Sequence, residues 1–103
     1  MQNKSADELL NLMNVGKAVR ADLALLGIHS IAVLVKAEPD DLYKKLQEIT
    51  GQKHDPCVWD TFAAIIHEAK TGIKKPWWEW TPIRKKRQAT GDFIEHDNVM
   101  EKS

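Results

Sequence analysis

Asn14-Val15-Gly16-Lys17 lies between two apolar-periodic segments, and Leu26-Gly27-Ile28 follows a few residues later. A tight turn at Asn14 aims the N–H groups of Val15, Gly16 and Lys17 outward from the start of a helix. Such donors sit at the positive end of the helix dipole, where an anion such as a phosphate docks. Lys17 and Arg20, three residues apart, add positive charge beside the same place. Asn14 suits the corner because it tolerates the left-handed conformation better than most residues. A side chain at Gly16 is expected to strain the turn and to block close approach of a ligand to the backbone. The competing reading is a tight helix–helix corner with no ligand. Binding through one such turn is weak, on the order of 10⁻⁴ to 10⁻⁶ M, and strongly salt-dependent.

A second cluster lies further on. Trp77, Trp78 and Trp80 are preceded by Lys74 and Lys75 and followed by Arg84-Lys85-Lys86-Arg87. Exposed indoles flanked by cations stack on unpaired bases. Four Trp, two Phe and one Tyr are all the aromatics of the chain, so the core competes for the same rings. Burial of at least two of the three is the expectation. Net charge is zero overall, yet residues 70–87 carry seven basic side chains against one acidic. That asymmetry fits a binding tail and a solubilising tail equally well.

His54 and Cys57 have the spacing of two metal ligands, but zinc requires two more, and His29 and His67 form no second pair. With Asp55 as an N-cap, Cys57 falls at the second helical position, where the dipole lowers a thiol pKa and the Asp55 charge opposes the effect. The plainer reading is a small half-buried residue beside a conventional cap. No nucleophile triad, phosphate-binding glycine loop or carboxylate cluster is recognisable, so neither an enzyme nor a cofactor is expected.

The elements that position these residues read as five short helices. Ser5 and Glu8 have the spacing of a capping box for the first, whose apolar face is Leu9, Leu10, Leu12 and Met13. The second runs from Lys17 to Leu26 and stops at Gly27. Ser30 caps the third, with Ile31, Leu34 and Val35 inward. Glu38-Pro39-Asp40-Asp41 opens the fourth, striped by Leu42, Leu46 and Ile49 and ended by Gly51. Asp55-Pro56 opens the fifth, which carries Val58, Trp59, Phe62, Ile65 and Ile66 to a stop at Gly72. Residues 73–82, bracketed by prolines, show no helical period and read as an extended Trp-rich arm. Residues 84–103 are expected to be a disordered tail, basic and then polar, dispensable for stability. The division is therefore a domain over residues 5–83 and a tail over 84–103. A single cysteine, no long apolar run and a polar start point to a cytoplasmic protein without a membrane partner.

The Asn14-to-Lys17 turn with Leu26-Gly27-Ile28 resembles the helix-hairpin-helix motif, with Asn14 in place of the first hairpin glycine. Together with Pro39-Asp40-Asp41-Leu42-Tyr43, Thr50-Gly51, His54-Asp55-Pro56-Cys57 and Pro76-Trp77-Trp78-Glu79-Trp80, it looks like the small bacterial pathogenicity-locus family, over roughly residues 7–82. Members of that family also carry helix-hairpin-helix or mitomycin-resistance-type labels. The front half is similar to the C-terminal domain of bacterial competence regulators. The resemblance implies an all-α helix-hairpin-helix/SAM-like bundle. The hairpin resemblance implies DNA backbone as the partner, gripped through Asn14, Val15, Gly16, Lys17 and Arg20, and the charge pattern adds Lys74, Lys75, Arg84, Lys85, Lys86 and Arg87 as a basic arm. The alternative is a protein-interaction adaptor using the same helical surface.

Overall fold

In a computed structural model, which describes residues 8–93, the helical stripes assemble around one long helix. Among the described residues five α-helices occur: α1 (Lys17–Leu25), α2 (Ile31–Leu34), α3 (Pro39–Thr50), α4 (Cys57–Thr71) and α5 (Thr81–Thr90). Two short 3₁₀ turns, Glu8–Asn11 and Trp77–Trp80, precede α1 and α5. No strand is present among the described residues. The all-α class is therefore as expected, and α1 to α4 are expected helices; α5 is the unexpected one, and the first expected helix is a 3₁₀ turn.

The first segment is the 3₁₀ turn Glu8–Asn11 rather than a capped α-helix. Glu8 does not act within it. Its carboxylate accepts the Ile31 amide at 2.9 Å and so caps α2 from a distance, alongside the local Ser30 cap. Ser5 lies outside the described residues. Leu9 and Leu12 are buried, whereas Leu10 and Met13 face outward.

Central α4 buries most of its length. Trp59, Phe62, Ala63, Ile65 and Ile66 meet Leu23, Leu26, Ile28, Leu34, Leu42, Tyr43 and Leu46 in one core. The α3 stripe is rotated from the expected one. Tyr43 and Gln47 are buried with Leu42 and Leu46, while Ile49 is 46% exposed. Tyr43 turns inward because its hydroxyl donates to the His54 carbonyl at 2.7 Å, and Gln47 because its carboxamide oxygen accepts the His54 amide. These two bonds satisfy backbone groups of the loop before α4, which burial otherwise penalises.

The largest departure is the C-terminal part. Residues 77–80 form a helical turn rather than an extended arm, and the next residues run straight into α5. The boundary expected at Ile83 falls inside that helix, and residues 84–90 are ordered helix rather than disordered tail. Residues 94–103 lie outside the described part. Phe93, just beyond α5, is a core residue at 5% exposure, with ring centroids 5.6 Å from Tyr43 and 5.7 Å from Trp59. The segment is therefore part of the domain.

Candidate nucleic-acid interface

The corner at residues 14–17 is held by its first residue. Asn14 adopts φ +77°, the left-handed conformation expected of it. Its side chain donates from Nδ2 to the Lys75 carbonyl at 2.9 Å and accepts the Trp77 amide at Oδ1 at 3.1 Å. One amide side chain thus straps the segment before the 3₁₀ turn onto the corner. A second strap runs through Glu68, whose carboxylate accepts the Met13 amide at 2.9 Å and pairs with Lys74 Nζ at 2.7 Å. Two segments some sixty residues apart in sequence are joined edge to edge.

Gly16 precedes α1 with φ −107° and ψ −167°, and no side chain caps the helix. This extended conformation is open to any residue, and a Cβ built there meets nothing within 4 Å. The expected strain at Gly16 is therefore absent. What a side chain there would fill is the open space beside the first-turn amides. The amide of Val15 is not among the outward donors, because it bonds the Leu12 carbonyl at 3.3 Å, and its side chain is buried. Lys17 is exposed and Arg20 half-buried.

The basic cluster divides by face. Lys85 and Lys86 are exposed, as is Lys75, which lies 3.8 Å from Glu79 in a surface pair of little energetic weight. Arg84 and Arg87 turn inward. Asp60, fully buried in the first turn of α4, receives Arg84 through Nε at 3.1 Å and Nη2 at 2.9 Å, and the Thr81 hydroxyl at 2.7 Å. That bidentate geometry fits a guanidinium and holds its proton more firmly than usual, chiefly through the hydrogen bonds to Asp60. Arg87 grips both oxygens of Asp40 at 2.9 and 3.0 Å and lies 5.6 Å over the Trp59 ring. The indole N–H of Trp59 donates to Asp40 as well, at 2.7 Å. Arg87, then Trp59, hold the Asp40 carboxyl below its ordinary range against the opposing pull of burial. Of the expected basic contacts, Arg84 is thus a core residue and Arg87 a clasp on α3, and neither offers a free charge to a ligand.

Asp40 and Asp60, each in the first turn of its helix, and Glu68 carry these clasps. The available signal was the pair Asp60 and Glu68 inside the apolar stripe of α4, since a carboxylate at a core position demands a cation.

Cys57 opens α4, and its amide donates to Asp55 Oδ1 at 2.8 Å. Burial first, then the Asp55 carboxylate, push the thiol pKa up rather than down. This is the half-buried first-turn residue of the plainer reading. His54 Nε2 lies 2.9 Å from Thr50 Oγ1, and among the described residues no three of His, Cys, Asp and Glu converge. Trp77 and Trp80 are half-buried, with Trp80 packed on the core, but Trp78 is 59% exposed. Burial therefore holds for two of the three rings only in part.

The molecule is thus a small all-α protein with a strapped corner and exposed lysines on neighbouring elements. It belongs to the Cdd1 pathogenicity-locus family, whose model matches residues 2–86. The chain is 35% identical over 86 residues to a mitomycin resistance protein, McrB, of Streptomyces lavendulae, covering 84% of this chain and 82% of that one. No solved structure matches it significantly. Among the described residues no helix is long and apolar enough to cross a membrane.

Proposed function

We propose that this is a non-catalytic accessory protein that binds DNA backbone non-specifically, using the 14–17 corner as a helix-hairpin-helix turn. The observation that carries this reading is the Asn14 strap, which fixes the exposed Lys75 segment against the uncapped start of α1. An uncapped helix start offers oriented amides, and Lys17 and Lys75 add the charge that a phosphate contact needs. Exposed Lys85 and Lys86 supply further counterion release. Likeness to the mitomycin resistance protein of Streptomyces lavendulae extends the reading to a contribution to mitomycin resistance.

Anisotropy of a labelled mixed-sequence duplex tests it. With four exposed lysines engaged, affinity is expected to fall roughly a hundredfold between about 50 and 200 mM salt. Lys17→Ala combined with Lys75→Ala is expected to flatten the salt slope by about two phosphate contacts. Gly16→Val is expected to stay folded, at a cost of no more than about 1 kcal/mol from a poorer N-cap, while weakening binding. Absent or salt-insensitive binding would favour the alternative, a protein-interaction adaptor that ignores DNA.

A further inference from the structure

Trp78 is the largest exposed apolar side chain among the described residues, and it does not stand alone. It meets Trp77 edge to face, with ring centroids 5.7 Å apart and planes at 81°. An edge-to-face pair covers only one of its four ring faces, so aromatic surface stays open. Trp77 and Trp78 wall a groove of about 550 Å³ against the first turns of α5, with Pro82 and Lys85 on its rim and Cys57 and Arg84 below. That volume is within the range of small-molecule pockets.

The floor and the rim differ in charge. Arg84 is neutralised by Asp60 beneath the groove, and the Cys57 thiol, with its pKa raised, is uncharged at neutral pH. Lys85 on the rim and Lys75 two residues before Trp77 are cationic and exposed. A flat, neutral ring carried on an anionic backbone matches both. In a duplex the ring faces are consumed by neighbouring base pairs, whereas an unpaired strand offers them to an indole. The Asn14 bond to the Trp77 amide fixes the groove beside the 14–17 corner, so one strand can place a phosphate at the corner and a base in the groove.

We infer that the Trp77–Trp78 groove is a base-stacking site and that the protein prefers single-stranded DNA to duplex. This rests on the backbone-binding reading above and adds the substrate class.

The test compares three labelled probes at low salt: an oligothymidine of about 12 nucleotides, a duplex of equal length, and an abasic strand of equal length. The oligothymidine is expected to bind roughly tenfold more tightly than the other two, and to quench tryptophan fluorescence. One stacked base corresponds to roughly a 5- to 150-fold affinity difference. Trp78→Ala is expected to abolish the preference and the quenching attributable to Trp78 while leaving duplex affinity unchanged. Trp78→Phe, which keeps a stacking face, is expected to retain much of the preference. Circular dichroism should show both variants folded, since the side chain is mostly outside the core. Equal binding of the thymidine and abasic strands, or an unaltered preference in Trp78→Ala, would overturn the groove while the duplex result upholds backbone binding. Failure of all three probes to bind would overturn both.

Discussion

At the scale of single residues, Arg84 and Lys85 show how little a basic run says about its own role. They are neighbours in sequence, yet Arg84 is buried on Asp60 while Lys85 faces solvent. A buried charge without its partner is costly, so Arg84→Met is expected to destabilise the protein by about 3–5 kcal/mol. Lys85→Ala is expected to stay within about 0.5 kcal/mol of the parent. Urea denaturation of the two variants checks this, and equal small losses would mean that Asp60 finds no necessary partner in Arg84. Asn14 shows the opposite lesson. Its left-handed backbone was foreseeable from its type, but the two bonds of its side chain to Lys75 and Trp77 were not, because nothing local encodes a contact sixty residues away.

At the scale of elements, α5 carries signals that were used elsewhere along the chain. Thr81-Pro82 places proline in the first turn and Gly91 ends the helix in the left-handed conformation, the same punctuation that marks α3. The element escapes notice because its inward face is Arg84 and Arg87 rather than an apolar stripe, so its hydrophobic period is missing. Its role is structural. It brings Arg87 to Asp40 and leads Phe93 into the cluster of Tyr43 and Trp59. Phe93→Ala is therefore expected to cost about 3–5 kcal/mol and to lower the melting temperature by more than about 10 °C. Truncation after Ile83, which also removes both arginines, is expected to be worse. A calorimetric scan in which the truncated chain melts like the full one would show that α5 is an appendage.

At the scale of the whole molecule, the C-terminal clasp makes stability depend on pH. Asp40 is depressed below the ordinary carboxylate value near 4. A depressed carboxylate contributes stability that is present above its unfolded pKa and lost as pH falls through its folded value. Stability is thus expected to be level above about pH 5 and to decline below about pH 4. Arg87, its pKa raised by Asp40, stays charged throughout. Urea midpoints measured between neutral pH and pH 3 follow this, and Asp40→Asn should flatten the acid limb. An unchanged acid limb in that variant would place the acid sensitivity in other carboxylates.

Helices α1 to α4, the Ser30 cap, the glycine stops and the apolar spine of α4 were set by local sequence alone, because periodicity and capping act over a single turn. The same is true of the corner at Asn14, whose backbone conformation is a property of the residue. Tertiary structure alone decided which charges are free. Lysines 85 and 86 remain outside, Lys75 lies in a loose surface pair with Glu79, Lys74 is held by Glu68, and Arg84 and Arg87 are spent on carboxylates of other helices. It also decided that Trp78, not Trp77 or Trp80, faces outward. Pairing of buried charges and the choice of which ring to bury depend on desolvation and on long-range packing. Those terms exist only once the distant segments have met.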